Sequence, residues 1–230
     1  MIEAVLPCSA AWSELFDDPS GVRLYAEEEA LLGKSVHTRR QEFTTGRACA
    51  RAALAKIGVS SVPILRGERG APRWPPGIVG SITHCVGYRA AAVARTTEIV
   101  ALGIDAEPDL PLEEGVLSLV AQPDELGWIK ELTSLRTRGP SWDRLLFSAK
   151  EAVFKAWFPL TGQWLGFEDA EVMIDPLSEA FVARLLVPGP EVGGQELTAF
   201  HGRWLAQADM ILTATAVPVR QSRTGRHDAG

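Results

Sequence analysis

Apolar positions in the first part of the chain recur with a helical period. Over residues 38–57, TRRQEFTTGRACARAALAKI, Phe43, Ala50, Leu54 and Ile57 fall at steps of seven, four and three, and Gly58 follows as a stop; the spacing predicts a helix. Arg40, Arg47 and Arg51 stand at i, i+7 and i+11 and so share one face of it, with Arg39 at the edge of that face. Residues 66–77, RGERGAPRWPPG, carry three glycines, three prolines and three arginines and read as a shaped loop suited to gripping phosphate. Three short apolar runs, 78–82, 90–94 and 99–104, are broken by turn residues and predict buried strands. Between the first two, Thr83 is expected to open a helical turn, leaving His84 just past a strand end, where catalytic groups are often displayed.

After Pro111 the pattern is helical to about Arg136. A polar turn, RTRGPS, then leads to a long helix from Trp142 to Phe158 with Ser141 as its expected N-cap. Apolar side chains cover most of that helix, and Ser148, Glu151 and Lys155 form a narrow polar stripe at i, i+3 and i+7. Residues 168–174, 180–187, 202–206 and 210–217 read as a meander of strands, separated by Asp175-Pro176, Pro188-Gly189-Pro190 and a turn near Ala208. The polar stretch from Arg220 to Gly230 is expected to be mobile. There is no sequence repeat, yet each half sets helices before or around about three strands, a pattern that hints at duplication.

With 230 residues, 46% of them apolar, the chain can bury a sizeable core. The N-terminus lacks the basic segment and apolar run of a signal peptide, and no stretch approaches the ~20 apolar residues of a membrane span, so a cytoplasmic location is expected. Cys8, Cys49 and Cys85 have neither zinc-site nor redox-motif spacing and read as packing residues of a reducing compartment. Charge changes the picture more. From Lys34 to Arg73 nine Lys or Arg face only Glu42 and Glu68, a local balance of +7 in a chain whose total is −6, which leaves −13 for the rest. A cationic cluster in an acidic chain predicts a local anion site rather than a nucleic-acid surface, because the remainder would repel a duplex. Each arginine taken singly is equally consistent with a solvated helix face.

GIDAE, residues 103–107, ends an apolar strand with two carboxylates on one face, and Pro108 ends the ladder. Carboxylates held together repel unless a cation lies between them, so the pair invites a hard metal, although Asp-x-Glu before proline is also the pattern of an exposed turn. Glu151 and Lys155 on a largely buried helix need partners; an internal i, i+4 ion pair is the plain alternative. Together Asp105, Glu107 and Glu151 offer three hard oxygen donors for Mg²⁺, with Lys155 and His84 beside them and arginines to hold phosphates. No GxxxxGK[ST], GxGxxG or GxSxG pattern is present, and His37, His84, His201 and His227 are too scattered for a zinc site.

GIDAE followed some forty residues later by FSAKEAVFKAWF resembles the paired signature of the 4′-phosphopantetheinyl transferases. The likeness extends to GSITHC at 80–85, the loop RGERGAPRWP at 66–75, the basic helix from Arg39 to Arg51, and WFPLTGQWLGFEDA at 157–170. It resembles the long, monomeric branch with the enterobactin-type and actinobacterial enzymes. The resemblance implies an α+β fold of two similar halves in a pseudo-twofold arrangement, residues 1–108 and 109–217, with the active site in the cleft between them and a tail at 218–230. It implies Mg²⁺, with Mn²⁺ as a substitute, held by Asp105, Glu107 and Glu151 against the pyrophosphate of coenzyme A. Arg39, Arg47, the segment Arg66, Gly67, Glu68 and Arg69, Thr83 and His84 would bind the 3′-phosphate and adenosine, Lys155 the pyrophosphate, and Trp164 would flank the pantetheine arm. Arg66 stands where relatives also use lysine. The implied reaction moves phosphopantetheine from coenzyme A to a serine of an apo acyl or peptidyl carrier protein and releases 3′,5′-ADP, with Glu151, Lys155 and His84 as the candidate catalytic groups. Neither nucleic acid nor membrane is an expected partner. A non-catalytic coenzyme A-binding or carrier-docking protein and a Mg²⁺-dependent phosphohydrolase are the competing readings.

Overall fold

A computed structural model of the chain describes residues 1–134 and 139–219. The expected mobile stretch from Arg220 and the start of the RTRGPS turn lie outside the described residues. The elements in order are β1 (Ala11–Leu15), α1 (Ala26–Ala30), α2 (His37–Lys56), β2 (Ile78–Cys85), β3 (Tyr88–Arg95), β4 (Ile99–Pro108), α3 (Val116–Val120), α4 (Pro123–Ser134) and α5 (Trp142–Thr161). They continue with β5 (Ala170–Asp175), β6 (Ala180–Leu185), the short pair β7 (Glu191–Val192) and β8 (Gln195–Glu196), then β9 (Ala199–Gln207) and β10 (Met210–Pro218). No helix among the described residues is long and apolar enough to cross a membrane.

Two antiparallel sheets organise the α+β fold. The first runs β1-β3-β2 and the second β4-β10-β9-β6-β5. Strand parity divides their side chains among three cores. Ala91 and Val93 of β3 pack with Cys49, Ala50, Ala53 and Leu54 of α2, whereas Ala90, Ala92 and Ala94 pack with Leu102 and Ile104 of β4 and Leu212 and Ala214 of β10. On the other face of the second sheet, Leu145, Leu146, Ala149, Val153 and Trp157 of α5 meet Val172, Phe181, Phe200 and Ile211. The layers therefore run α2, sheet, sheet, α5. Each fully buried Leu, Val or Phe in them contributes about 1.5–3 kcal/mol.

Several expectations are corrected. Thr83 opens no helical turn: β2 continues to Cys85, pairing Thr83 with Ala90 and His84 with Arg89, because the hairpin turn sits at Val86-Gly87, where Gly87 has φ +74°. His84 is thus inside a strand. The helical stretch after Pro111 is two helices, α3 and α4, interrupted before Pro123. Helix α5 runs past Phe158 and Pro159 to Thr161, where Gly162 at φ +65° donates its N–H to the Phe158 carbonyl at 2.8 Å. Ser141 occupies the N-cap position without a side-chain capping bond; its own N–H donates to Asp109 Oδ1 at 2.7 Å. Strand β4, placed by sequence at the end of the first half, is hydrogen-bonded to β10 in the second sheet, with Asp105 opposite Thr213 and Glu107 opposite Ile211.

Candidate active site

Parity on β4 turns Leu102, Ile104 and Ala106 toward the first sheet and Gly103, Asp105 and Glu107 toward α5. Gly103 makes the approach close. A β-carbon there would meet the Ala152 carbonyl oxygen at 1.9 Å and the Ala156 nitrogen at 2.9 Å, so only glycine lets the two backbones touch. The polar stripe of α5 then faces the strand's carboxylates. Asp105, 4% exposed, accepts from Lys155 Nζ at 2.6 Å and Thr83 Oγ1 at 3.3 Å through Oδ1, and from Ser148 Oγ at 2.8 Å through Oδ2. Thr213 Oγ1 donates to the Ser148 carbonyl at 2.9 Å from behind.

Glu107 takes a different partner, Arg144 NH1, at 3.1 Å. The same guanidinium donates to the Leu110 and Pro111 carbonyls at 3.0 and 2.9 Å and so pins the chain that leaves β4. Burial, then repulsion by Asp105, pushes Glu107 up to about 7 against the pull of Arg144. Burial also raises Glu151, with Lys155 opposing and Asp105 adding to the rise. No Glu151–Lys155 ion pair forms among the described residues, so the internal-pair alternative is not what occupies Lys155. Also among the described residues, no group of three or more His, Cys, Asp and Glu side chains stands in a metal-holding arrangement. The donor chemistry nonetheless suits a hard dication: Asp105 repels both Glu107 and Glu151, and carboxylates gathered in this way favour a cation among them.

The cationic cluster divides in two. Arg40 pairs with Glu29, and Arg51 donates twice to the fully buried Glu28, at 3.0 and 2.9 Å. Both are neutralised by α1. Arg39, Arg47 and Arg66 instead line a cavity of about 120 Å³ with His84 and Phe43. Arg47 Nε donates to the Ile64 carbonyl at 2.7 Å while Glu28 accepts from the Ile64 N–H at 2.9 Å, so one residue anchors both. Burial, and repulsion by Arg66, Arg51 and Arg39 against the attraction of Glu28, lower Arg47 to about 10. His84 Nε2 accepts from Arg39 NH1 at 3.1 Å, and burial lowers its pKa, with Glu42 opposing and Arg39 and Lys155 reinforcing. Gly67 donates its N–H to Ala71 within the loop, Glu68 is exposed, and Thr83 faces Asp105 rather than the arginines.

Two other cavities border this one. It shares Gly70, Pro72 and Ile82 with one of about 200 Å³ lined by Arg69, Glu151 and Lys155, which shares Glu151 and Phe154 with a third of about 170 Å³ walled by Trp164. The result is a groove with arginines at one end, a carboxylate and an ammonium in the middle, and an aromatic wall at the other. Trp164, 60% exposed, lies 4.8 Å from Phe154 and carries the Arg69 guanidinium over its ring at 5.3 Å. Larger cavities of about 280 and 380 Å³ adjoin at His201 but hold a single carboxylate, Glu196, between them, so chemistry rather than size identifies the groove.

Sequence reasoning missed Arg144, Phe43 and Glu28. Arg144 carried a signal: with Ser148, Glu151 and Lys155 it extends the α5 stripe to i, i+4, i+7 and i+11. Glu28 carried none, because its partners lie 23 and 36 residues away.

The profile of the 4′-phosphopantetheinyl transferase N-terminal domain matches residues 27–94, and that of the 4′-phosphopantetheinyl transferase superfamily matches residues 101–208. The chain is 52% identical to the 4′-phosphopantetheinyl transferase Svp of Streptomyces mobaraensis, over 94% of this chain and 89% of that protein. It is 48% identical to the 4′-phosphopantetheinyl transferase Npt of Nocardia iowensis, over 94% and 99% of the two chains. Identity to the 4′-phosphopantetheinyl transferase PptT of Mycobacterium tuberculosis is 44%, over 93% and 96%. The chain belongs to the 4′-phosphopantetheinyl transferase superfamily.

Proposed function

We propose that the three bordering cavities bind coenzyme A along their length and that the residues of the groove divide the work of transfer among them. An enzyme of this superfamily moves the phosphopantetheinyl group from coenzyme A to a carrier protein. Arg39, Arg47 and Arg66 hold the 3′-phosphate and His84 the neighbouring nucleotide portion, since guanidinium groups match phosphate oxygens with paired donors. Lys155 binds the pyrophosphate, and Trp164 with Phe154 flanks the pantetheine arm. Asp105, Glu107 and Glu151 would hold Mg²⁺, or Mn²⁺ in its place, and the ion would supply neutralising charge for the pyrophosphate.

In the transfer a carrier serine oxygen forms a bond to the phosphorus that bears pantetheine, and the bond from that phosphorus to the bridging oxygen breaks. Glu151, directly or through a water, takes the proton released by the serine hydroxyl. Lys155 steadies the charge that develops on departing 3′,5′-ADP. Asp105 aims Lys155, with Ser148 and Thr83 fixing the carboxylate.

The observation that carries this reading is the succession of three bordering cavities with shared walls, from the arginines through Glu151 and Lys155 to Trp164. Intact-mass analysis of a panel of apo acyl and peptidyl carrier proteins, incubated with coenzyme A and Mg²⁺, tests it. A gain of one phosphopantetheine on a serine is expected. Bound coenzyme A with no gain on any carrier would return the assignment to a non-catalytic coenzyme A-binding protein, and phosphate release from simple nucleotides would return it to a hydrolase.

A further inference from the structure

The arginine end of the groove is built around an aromatic ring. Phe43, 5% exposed on α2, has the Arg47 guanidinium carbon 4.2 Å and the Arg66 guanidinium carbon 5.0 Å from its ring centroid. Arg47 reaches it from one turn further along the same helix; Arg66 comes from the loop that follows, and both side chains line the same cavity of about 120 Å³. Two cations drawn to one small space repel each other and would part in solvent. A ring face attracts each of them electrostatically, the more strongly the drier the contact. Arg47 has a second restraint, its Nε bond to the Ile64 carbonyl. Among the described residues Arg66 has none of this kind: its backbone forms an isolated bridge with Pro72, and the ring is the contact that locates its guanidinium.

We propose that Phe43 is a positioning residue that gathers Arg47 and Arg66 before ligand arrives, making the enzyme select coenzyme A by its 3′-phosphomonoester. The inference rests on the reading of this cavity as the 3′-phosphate site and deepens it. The ring touches no phosphate itself. Its part is to hold two donors where one phosphomonoester can meet both, so that their ordering precedes binding.

Calorimetric titration of coenzyme A, dephospho-coenzyme A and 3′,5′-ADP, with Mg²⁺ present and no carrier, tests it. Phe43→Leu should weaken coenzyme A and 3′,5′-ADP by roughly 5–30-fold, the equivalent of one or two such contacts, and leave dephospho-coenzyme A within about 2-fold. Phe43→Tyr, which keeps the ring, should restore discrimination. Phe43→Met refills the volume without a ring and serves if the leucine variant does not fold; it should behave as leucine does. Equal weakening of all three ligands, or none, overturns the role of Phe43, because loss of packing alone does not distinguish a ligand by its 3′-phosphate. Arg47→Gln and Arg66→Gln separate the two levels of the argument. If they too leave the coenzyme A to dephospho-coenzyme A ratio unchanged, the phosphate-site reading has failed; if they collapse it while Phe43→Leu does not, only the inference has.

Discussion

Lys155 Nζ donates to Asp105 Oδ1 at 2.6 Å, across the α5–β4 contact, and leaves Glu151, one turn earlier on its own helix, outside its ion pair. The pair ties an ammonium that is about a quarter exposed, at 27%, to a carboxylate that is 6% exposed, so its charge is presented at the groove while its anchor is buried. Lys155→Met should therefore lower carrier labelling by about 10²–10³-fold, the loss seen when one donor to developing charge is removed. Asp105→Asn, which keeps the shape of the buried group, should reduce labelling by a similar order and weaken Mn²⁺ binding measured by electron paramagnetic resonance. Near-normal labelling by either variant at limiting Mg²⁺ would contradict the assigned roles.

The close passage of β4 beneath α5 predicts a severe effect from one methyl group. In Gly103→Ala the new β-carbon must displace the Ala152 carbonyl, which is backbone and cannot swing aside. Overpacking of this kind costs about 1–3 kcal/mol or more. A 1 Å shift of Lys155 against Asp105 costs about 10²-fold in rate. Thermal unfolding and steady-state labelling should thus both suffer, and a variant with wild-type Tm would show that the two backbones are not in contact.

Arg144 holds Glu107 by one oxygen and the carbonyls of Leu110 and Pro111 by its other donors. Partners of this type typically change metal affinity by about 10–100-fold when removed. Arg144→Met should weaken Mn²⁺ binding by that order in the wild-type background and by much less in a Glu107→Gln background. Equal effects in both would mean that Arg144 acts on the loop and not through Glu107.

Stability should depend on a buried ion pair between α4 and α5. Glu125, fully buried, accepts from Lys150 Nζ at 2.7 Å and from the backbone N–H groups of Gln122 and Val172, both at 2.6 Å. Lys150 in turn donates to the carbonyls of Val120 and Phe167. Glu125→Ala leaves a buried ammonium without its counter-ion, at a cost of about 3–5 kcal/mol. For a chain of this size that lowers Tm by about 6–20 °C. Replacing both partners with apolar residues should recover part of the loss; failure of the single variant to lower Tm would refute the burial.

Acid sensitivity has a source in the first sheet. Burial raises the pKa of Glu14, but the Met1 ammonium, the Tyr88 hydroxyl at 2.6 Å and the Ile2 N–H at 3.0 Å outweigh it and leave the carboxyl below its ordinary 4.5. A lowered folded-state pKa means that the unfolded chain binds the proton first. This contribution is complete above about pH 4.5 and is lost as pH falls through the folded-state value. Urea unfolding from pH 6 to 3 should show a shallower acid decline for Glu14→Gln than for wild type; parallel curves would rule Glu14 out.

Much of this protein was determined by sequence read locally. Helical spacing placed α2 and α5, because a stripe of apolar residues must face one core whichever core it is. Two-residue alternation put Asp105 and Glu107 on one face of β4, and the order of the motifs from Arg39 to Trp164 identified the family before any coordinates did. Tertiary structure decided which of these groups meet. Lys155 finds Asp105 50 residues away, Arg144 finds Glu107 37 away, and Arg51 is claimed by Glu28 while Arg47 is left to line the groove. It also moved β4 into the second sheet and kept Thr83 and His84 in a strand. The reason is the range of the forces involved. Periodicity and turn chemistry act over a few residues and leave their mark on neighbouring letters, whereas an ion pair or a sheet partner is chosen by packing that brings distant segments together, and no spacing along the chain records it.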